Sequence, residues 1–198
     1  MEEKRVLTMV GTGSSWMLCP FEGEVWGVSS VLGDPNMRDR HYDKVFAFDN
    51  LSKHKNSFCV EKLNEYIAIA TEKNIPIVST QGYATERYPL LKMFDEFKVL
   101  WFRSTISYML ALSIYQGYEI VHIYGIDQDK EQRYIQSRPF VDFWLGVMVG
   151  RGVHFTIANK NFPQYMPSEM EMILKKTKSS ELPEWNQVKE KGELNGKD

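Results

Sequence analysis

Short blocks of apolar, β-favouring residues alternate along this chain with longer segments in which apolar side chains recur every three to four positions. Val6 to Val10 is the first block, and Gly11-Thr-Gly-Ser-Ser15 ends it with the small residues that a tight strand-to-helix turn requires. Glu24 to Ser29 and Lys44 to Phe48 form the second and third blocks and predict strands. Cys59 to Lys73 places Leu63, Tyr66, Ile67 and Ala70 at helical spacing with charges between them. Asn74-Ile-Pro76 stops that helix, and Ile75 to Ser79 predicts a fourth strand. Lys98 to Phe102 reads as another strand. Hydroxyl residues then precede a helix through Tyr108–Tyr115 that ends at Gly117. Glu119 to Tyr124 predicts the next strand. Pro139 opens a helix over Phe140–Val149, closed by Gly150-Arg-Gly152, and Val153 to Ile157 completes the series.

Such alternation predicts an α/β fold of Rossmann-like type, a mostly parallel sheet of about six strands with helices on both faces. The pattern fades near Pro167. Residues 1–160 are expected to form the Rossmann-like domain. Residues 161–198 are expected to supply a C-terminal helix near Met166 to Lys176 and a charged, solvated end.

The chain has 198 residues, 43% of them hydrophobic and 25% charged, enough for one domain with a real core plus a tail. Its formal charge of −2 supplies no bulk attraction to nucleic acid or to an anionic membrane. The start Met-Glu-Glu-Lys-Arg lacks the basic and apolar regions of a signal peptide, and no apolar run is long enough to span a bilayer, so a cytoplasmic protein is expected. Cys19 and Cys59 stand too far apart for a zinc knuckle or a redox couple and are expected to be structural thiols. His122 and His154 fall inside predicted strands and are expected to be satisfied core residues. Trp26, Phe46, Phe48, Trp101 and Phe102 are expected in the core.

Candidate chemistry lies at the ends of strands. The loop Gly11, Thr12, Gly13, Ser14 and Ser15 could turn backbone N–H groups and hydroxyls toward a phosphate; the plainer reading is a tight turn. Neither a P-loop lysine nor the third glycine of the dinucleotide fingerprint follows it. Ser104, Thr105 and Ser107 stand beside Arg103 at a helix start. A cap needs one hydroxyl, so the surplus next to a guanidinium points to an anion. Asp127 ends the strand Ile123-Tyr-Gly-Ile126, and Asp49 ends the third strand. In open parallel sheets that edge is where ligands bind. A carboxylate there can hold a ribose hydroxyl, coordinate a metal such as Mg2+ together with Asp129, or take a proton; a loop cap is the plainer alternative. Arg138, after the amide of Gln136, is suited to bidentate capture of phosphate or carboxylate, or is a surface arginine beside a helix.

Ser104-Thr-Ile-Ser-Tyr-Met-Leu-Ala-Leu-Ser-Ile-Tyr-Gln-Gly117 followed by Ile120-Val-His-Ile-Tyr-Gly-Ile-Asp127 resembles a stretch of the bacterial family-42 sialyltransferases. It is also similar to the MptE-like proteins, which include hydroxymethylpterin diphosphokinases. With Gly11–Ser15 and Glu24-Val-Trp-Gly-Val28 added, the pattern is similar to small proteins encoded in phage genomes. The resemblance implies a Rossmann-like sheet holding a nucleotide or nucleotide-sugar, with the glycine loop and the Ser104–Ser107 helix start near phosphate and Asp127 near the ligand. Two function classes stay open: a transferase moving a glycosyl or diphosphate group, with Asp127 or Asp49 as base or metal ligand, and a non-catalytic nucleotide-binding or sequestering protein. A homo-oligomer also stays open.

Overall fold

A computed structural model of the chain describes residues 4–50, 57–126 and 132–158. Strands β1 (Val6–Val10), β2 (Glu24–Val28) and β3 (Lys44–Phe46) are joined by two short 3-10 turns, Ser14–Leu18 and Ser29–Gly33. Helix α1 (Ser57–Glu72) leads to β4 (Ile77–Ser79) and to the two-residue β5 (Glu86–Arg87). Helices α2 (Leu90–Phe97) and α3 (Thr105–Tyr115) cross to β6 (Ile120–Tyr124), and α4 (Gln132–Gly150) leads to β7 (His154–Ile157). All strand pairs are parallel, and the sheet order is β5-β4-β3-β2-β1-β6-β7. The chain therefore winds outward from β1 to one edge and returns to the other side of β1. The order reverses between β1 and β6, the switch point at which open α/β sheets form a crevice.

The pleat divides the core. Leu7 pairs with Glu24 and Val121, and Met9 with Trp26 and Ile123, so these side chains share one face. Leu7, Met9, Trp26, Phe46, Val78 and Val121 pack there with Met93 of α2, Met109 and Leu110 of α3, and Trp144, Leu145 and Met148 of α4. Helix α3 buries eight of its eleven residues, which is why its sequence is apolar almost all round. On the opposite face Val10, Val25, Val45 and Ile77 pack with Val31, Leu32, Met37 and Tyr42 of the connections and with Leu63 and Ala70 of α1.

Several elements differ from the sequence reading, each for a physical reason. Residues 98–102 form no strand. Lys98 adopts a left-handed conformation that closes α2, its N–H donating to the Phe94 carbonyl, and the following apolar side chains pack on α4 instead of pairing in the sheet. Phe102 stacks on Trp144 and Trp101 on Phe143, with Trp101 half exposed rather than in the core. Pro139 lies inside α4, which starts at Gln132. An interior proline costs about 3 kcal/mol; burial of Val141, Trp144, Leu145 and Met148 on the same helix offsets it. His122 and His154 are not core residues. They lie on the face of β6 and β7 opposite the main core, where His122 shares a hydrogen bond with Thr156 (2.8 Å) and His154 is exposed. Among the described residues the sheet has seven strands: the expected strand at 98–102 drops out, and the two-residue β5, too short to leave a pattern, is added. Residues 159–198, including the expected helix at 166–176, lie outside the described residues.

Candidate functional site

The carboxyl ends of β1 and β6 are latched together. The Gly11 N–H donates to the Tyr124 carbonyl and the Gly13 N–H to the Gly125 carbonyl, both at 2.8 Å. The Gly125 N–H in turn donates to Ser15 Oγ at 2.8 Å. A Cβ on Gly11 would stand 2.4 Å from the Gly125 oxygen, and Gly125 itself has φ +65°. The glycines therefore permit two backbones to touch. Gly13 is in the extended region (φ −69°, ψ 160°) and needs no glycine-specific conformation. This changes the expected role of the loop. The amides of Gly11 and Gly13 are taken by strand-end carbonyls.

Beside this latch lies a cavity of about 680 Å³, within the range of sites for nucleotide-sized ligands. The end of β1 contributes Thr12, the end of β2 Val28, Ser29 and Ser30, and the loop after β3 Asp49. Helix α1 contributes Phe58, Cys59, Lys62, Leu63 and Tyr66, spacings that lie on one helical face. The start of α3 adds Arg103, Ser104 and Thr105, and α4 adds Gln136 and Ser137. Two cations and several hydroxyls thus surround the space with a single carboxylate among the described lining residues.

Local bonding explains how these groups are held. Ser104 is the N-cap of α3: its Oγ accepts from the Ser107 N–H (3.4 Å), and Ser107 Oγ accepts from the Ser104 N–H (3.3 Å), a reciprocal capping box. Arg103 Nη2 donates to Gln136 Oε1 at 2.8 Å, tying the two helix starts across the cavity. Lys62 Nζ sits 4.6 Å from the centre of the Phe58 ring, one helical turn away. The Asp49 carbonyl accepts from the Tyr83 hydroxyl at 2.9 Å. Burial raises the Tyr83 pKa, with the Asp49 charge adding to it, and burial likewise raises Tyr66. Both phenols are neutral donors at pH 7.

Of the residues singled out by sequence, the structure brings Thr12, Asp49, Ser104 and Thr105 to this cavity, with Arg103 among them. Gly11, Gly13 and Ser15 form the latch, and Ser14 opens the first 3-10 turn; none of the four lines the cavity. Ser107 is fully buried in the cap, its hydroxyl donating to the Ser104 carbonyl at 2.6 Å, and it does not line the cavity. Arg138 is directed at Asp142, one turn along α4 (Nε to Oδ2 3.7 Å), and does not line the cavity. Asp127 and Asp129 lie outside the described residues. Among the described residues no group of three His, Cys, Asp or Glu side chains is placed to hold a metal.

Lys62, Tyr66, Phe58 and Cys59 were hidden from sequence reasoning because the helical pattern of α1 accounts for them as ordinary surface and core positions. Ser29 and Ser30 carried the one usable signal, two hydroxyls directly after a strand. Cys19 is buried as a structural thiol should be, whereas Cys59 is exposed. No helix among the described residues is long and apolar enough to cross a membrane.

No protein-family model matches the chain, and no curated protein matches it. Among solved structures, the chain is similar to the sialyltransferase CstII from Campylobacter jejuni in complex with a substrate analogue, cytidine-5'-monophosphate, at 15% sequence identity over 81% of this chain and 82% of that one, with a TM-score of 0.45.

Proposed function

We propose that the cavity at the ends of β1, β2 and β3 binds the phosphate-bearing part of a nucleotide or nucleotide-sugar, and that the chain is a transferase moving a glycosyl or diphosphate group from it. The observation that carries this reading is the lining itself: Lys62 and Arg103 gathered with the hydroxyls of Thr12, Ser29, Ser30, Ser104 and Thr105 in one nucleotide-sized space. Arginine matches phosphate oxygens bidentately, and hydrogen bonds to a charged acceptor are about twice as strong as neutral ones. The first turn of α3 adds its partial positive end at the same place.

In such a transfer the two cations stabilise charge developing on the leaving phosphate, and Asp49 takes the proton of an acceptor hydroxyl. Most of the acceleration comes from holding donor and acceptor in line. A second reading, a protein that binds or sequesters a nucleotide without turnover, is favoured by the balance of the described lining, in which anion-binding groups outnumber the one carboxylate, Asp49.

A thermal-shift screen with nucleoside mono- and diphosphates and nucleotide-sugars, with and without magnesium, tests the proposal. A ligand present at about a hundred times its dissociation constant is expected to stabilise the chain by about 2.7 kcal/mol. The absence of any shift across the panel contradicts it. Release of free nucleotide from a stabilising nucleotide-sugar separates the transferase from the passive binder.

A further inference from the structure

Phe48 and Phe102 are the residues immediately before Asp49 and Arg103. Both of their rings stack on Tyr108, Phe48 at 3.8 Å between centroids and 9° between planes, Phe102 at 4.2 Å and 20°. Two rings cannot share one face of a third at those separations, so Tyr108 is sandwiched between them. Trp144 stacks on Phe102 at 5.3 Å and 6°, which extends the column to α4. Tyr88, itself buried, lies edge-on to Phe48, Tyr108 and Phe102 and donates its hydroxyl to the Tyr108 carbonyl at 3.1 Å. Trp144 Nε1 donates to the Trp101 carbonyl at 2.9 Å, fixing the backbone that enters Phe102.

We infer that Tyr108 is a positioning residue: its ring, held between Phe48 and Phe102, sets the separation of Asp49 and Arg103 across the cavity. The inference rests on the nucleotide-binding reading of that cavity. Neither charged residue lies on a regular element, since Asp49 follows β3 in a loop and Arg103 precedes α3. Loop side chains hold a ligand geometry only when something rigid fixes the backbone beneath them. Here the rigid part is the aromatic column, in which flat rings meet at stacking distance and leave little freedom to slide. Gln136, which accepts from Arg103 Nη2, then fixes the guanidinium at the far end of the same arm.

The test compares Tyr108→Leu and Tyr108→Phe in the full chain, with cytidine diphosphate as the binding probe and thermal unfolding as the control for folding. Losing one hydrogen bond to a charged group costs about tenfold or more in affinity. Tyr108→Leu, which lets Arg103 and Asp49 shift, is expected to weaken binding by about that factor. Tyr108→Phe, which keeps the ring, is expected to bind as the native chain does. A folded Tyr108→Leu variant with native affinity, or a Tyr108→Phe variant as weak as Tyr108→Leu, overturns the inference. Should Tyr108→Leu not fold, Phe48→Leu removes the outer ring of the column and is expected to show the same loss. Spin labels at positions 49 and 103, in a background with Cys19 and Cys59 replaced by serine, test the geometry without a ligand. Tyr108→Leu is expected to shift or broaden their distance distribution, and an unchanged distribution overturns the inference. If the native chain binds no nucleotide phosphate, the functional reading falls, and the label distances alone decide the role of Tyr108.

Discussion

Replacing Gly11 with alanine is expected to destabilise the chain by about 3 kcal/mol or more, the range reached when an added group meets backbone that cannot move aside. The new Cβ would lie 2.4 Å from the Gly125 oxygen, 3.1 Å from the Gly125 carbonyl carbon and 3.2 Å from Ile126 Cγ1. The first two are backbone atoms, so relief requires the ends of β1 and β6 to part. That breaks the Gly11 bond to Tyr124 and the Gly13 bond to Gly125 at the centre of the sheet. Denaturant unfolding checks this, with Gly146→Ala as the control. Gly146 lies exposed in α4, nothing stands within 4 Å of its added Cβ, and alanine there is expected to stabilise by about 0.5–1 kcal/mol. Equal, small effects at the two positions would remove the latch from the account.

Arg103→Ala is expected to lower affinity for a nucleotide phosphate by about tenfold to a hundredfold, the loss of a hydrogen-bonded charge contact worth about 1.5–3 kcal/mol. Stability should change little, because Arg103 is exposed and the helix cap depends on Ser104 and Ser107. Arg103→Lys keeps the charge but loses the planar fork, so it should recover only part of the affinity. Calorimetric titration of the three chains checks the ranking. Native affinity in Arg103→Ala would take the guanidinium out of the site.

Much of the fold was legible because its strands are short apolar blocks and α1 carries apolar residues at helical spacing. Val6 to Val10 ends at Gly11 in the sequence and in the structure alike. The Ser104 cap and Gly117, with φ +74°, mark the two ends of α3 as hydroxyl and glycine signals do elsewhere. Failures arose where tertiary packing overrode local pattern. The apolar run after Lys98 has the composition of a strand, yet its aromatics are used against α4. Pro139 has the signature of a helix start, yet the helix begins well before it.

The site was only partly legible, for a related reason. A glycine loop after β1 signals close backbone approach, but sequence cannot say whether a phosphate or another strand end approaches. Here it is Gly125. Hydroxyls at a helix start announce a cap and leave undecided which of them face solvent. Ser107 turns inward, while Ser104 and Thr105 reach the cavity. Lys62 and Tyr66 enter the site from the side of α1, a position that only the folded sheet defines.

The cavity contains its own reporter. Cys59 lines it and is exposed, whereas Cys19, the only other cysteine, is buried. Alkylation of Cys59 by iodoacetamide, followed by mass spectrometry with and without a saturating nucleoside diphosphate, asks at once whether a nucleotide binds and where. Nucleotide is expected to slow Cys59 modification in proportion to the occupied fraction, Cys19 to stay unmodified throughout, and Arg103→Ala to lose the protection at the same nucleotide concentration. Unchanged Cys59 modification at saturating nucleotide would contradict the assignment of this cavity as the nucleotide site.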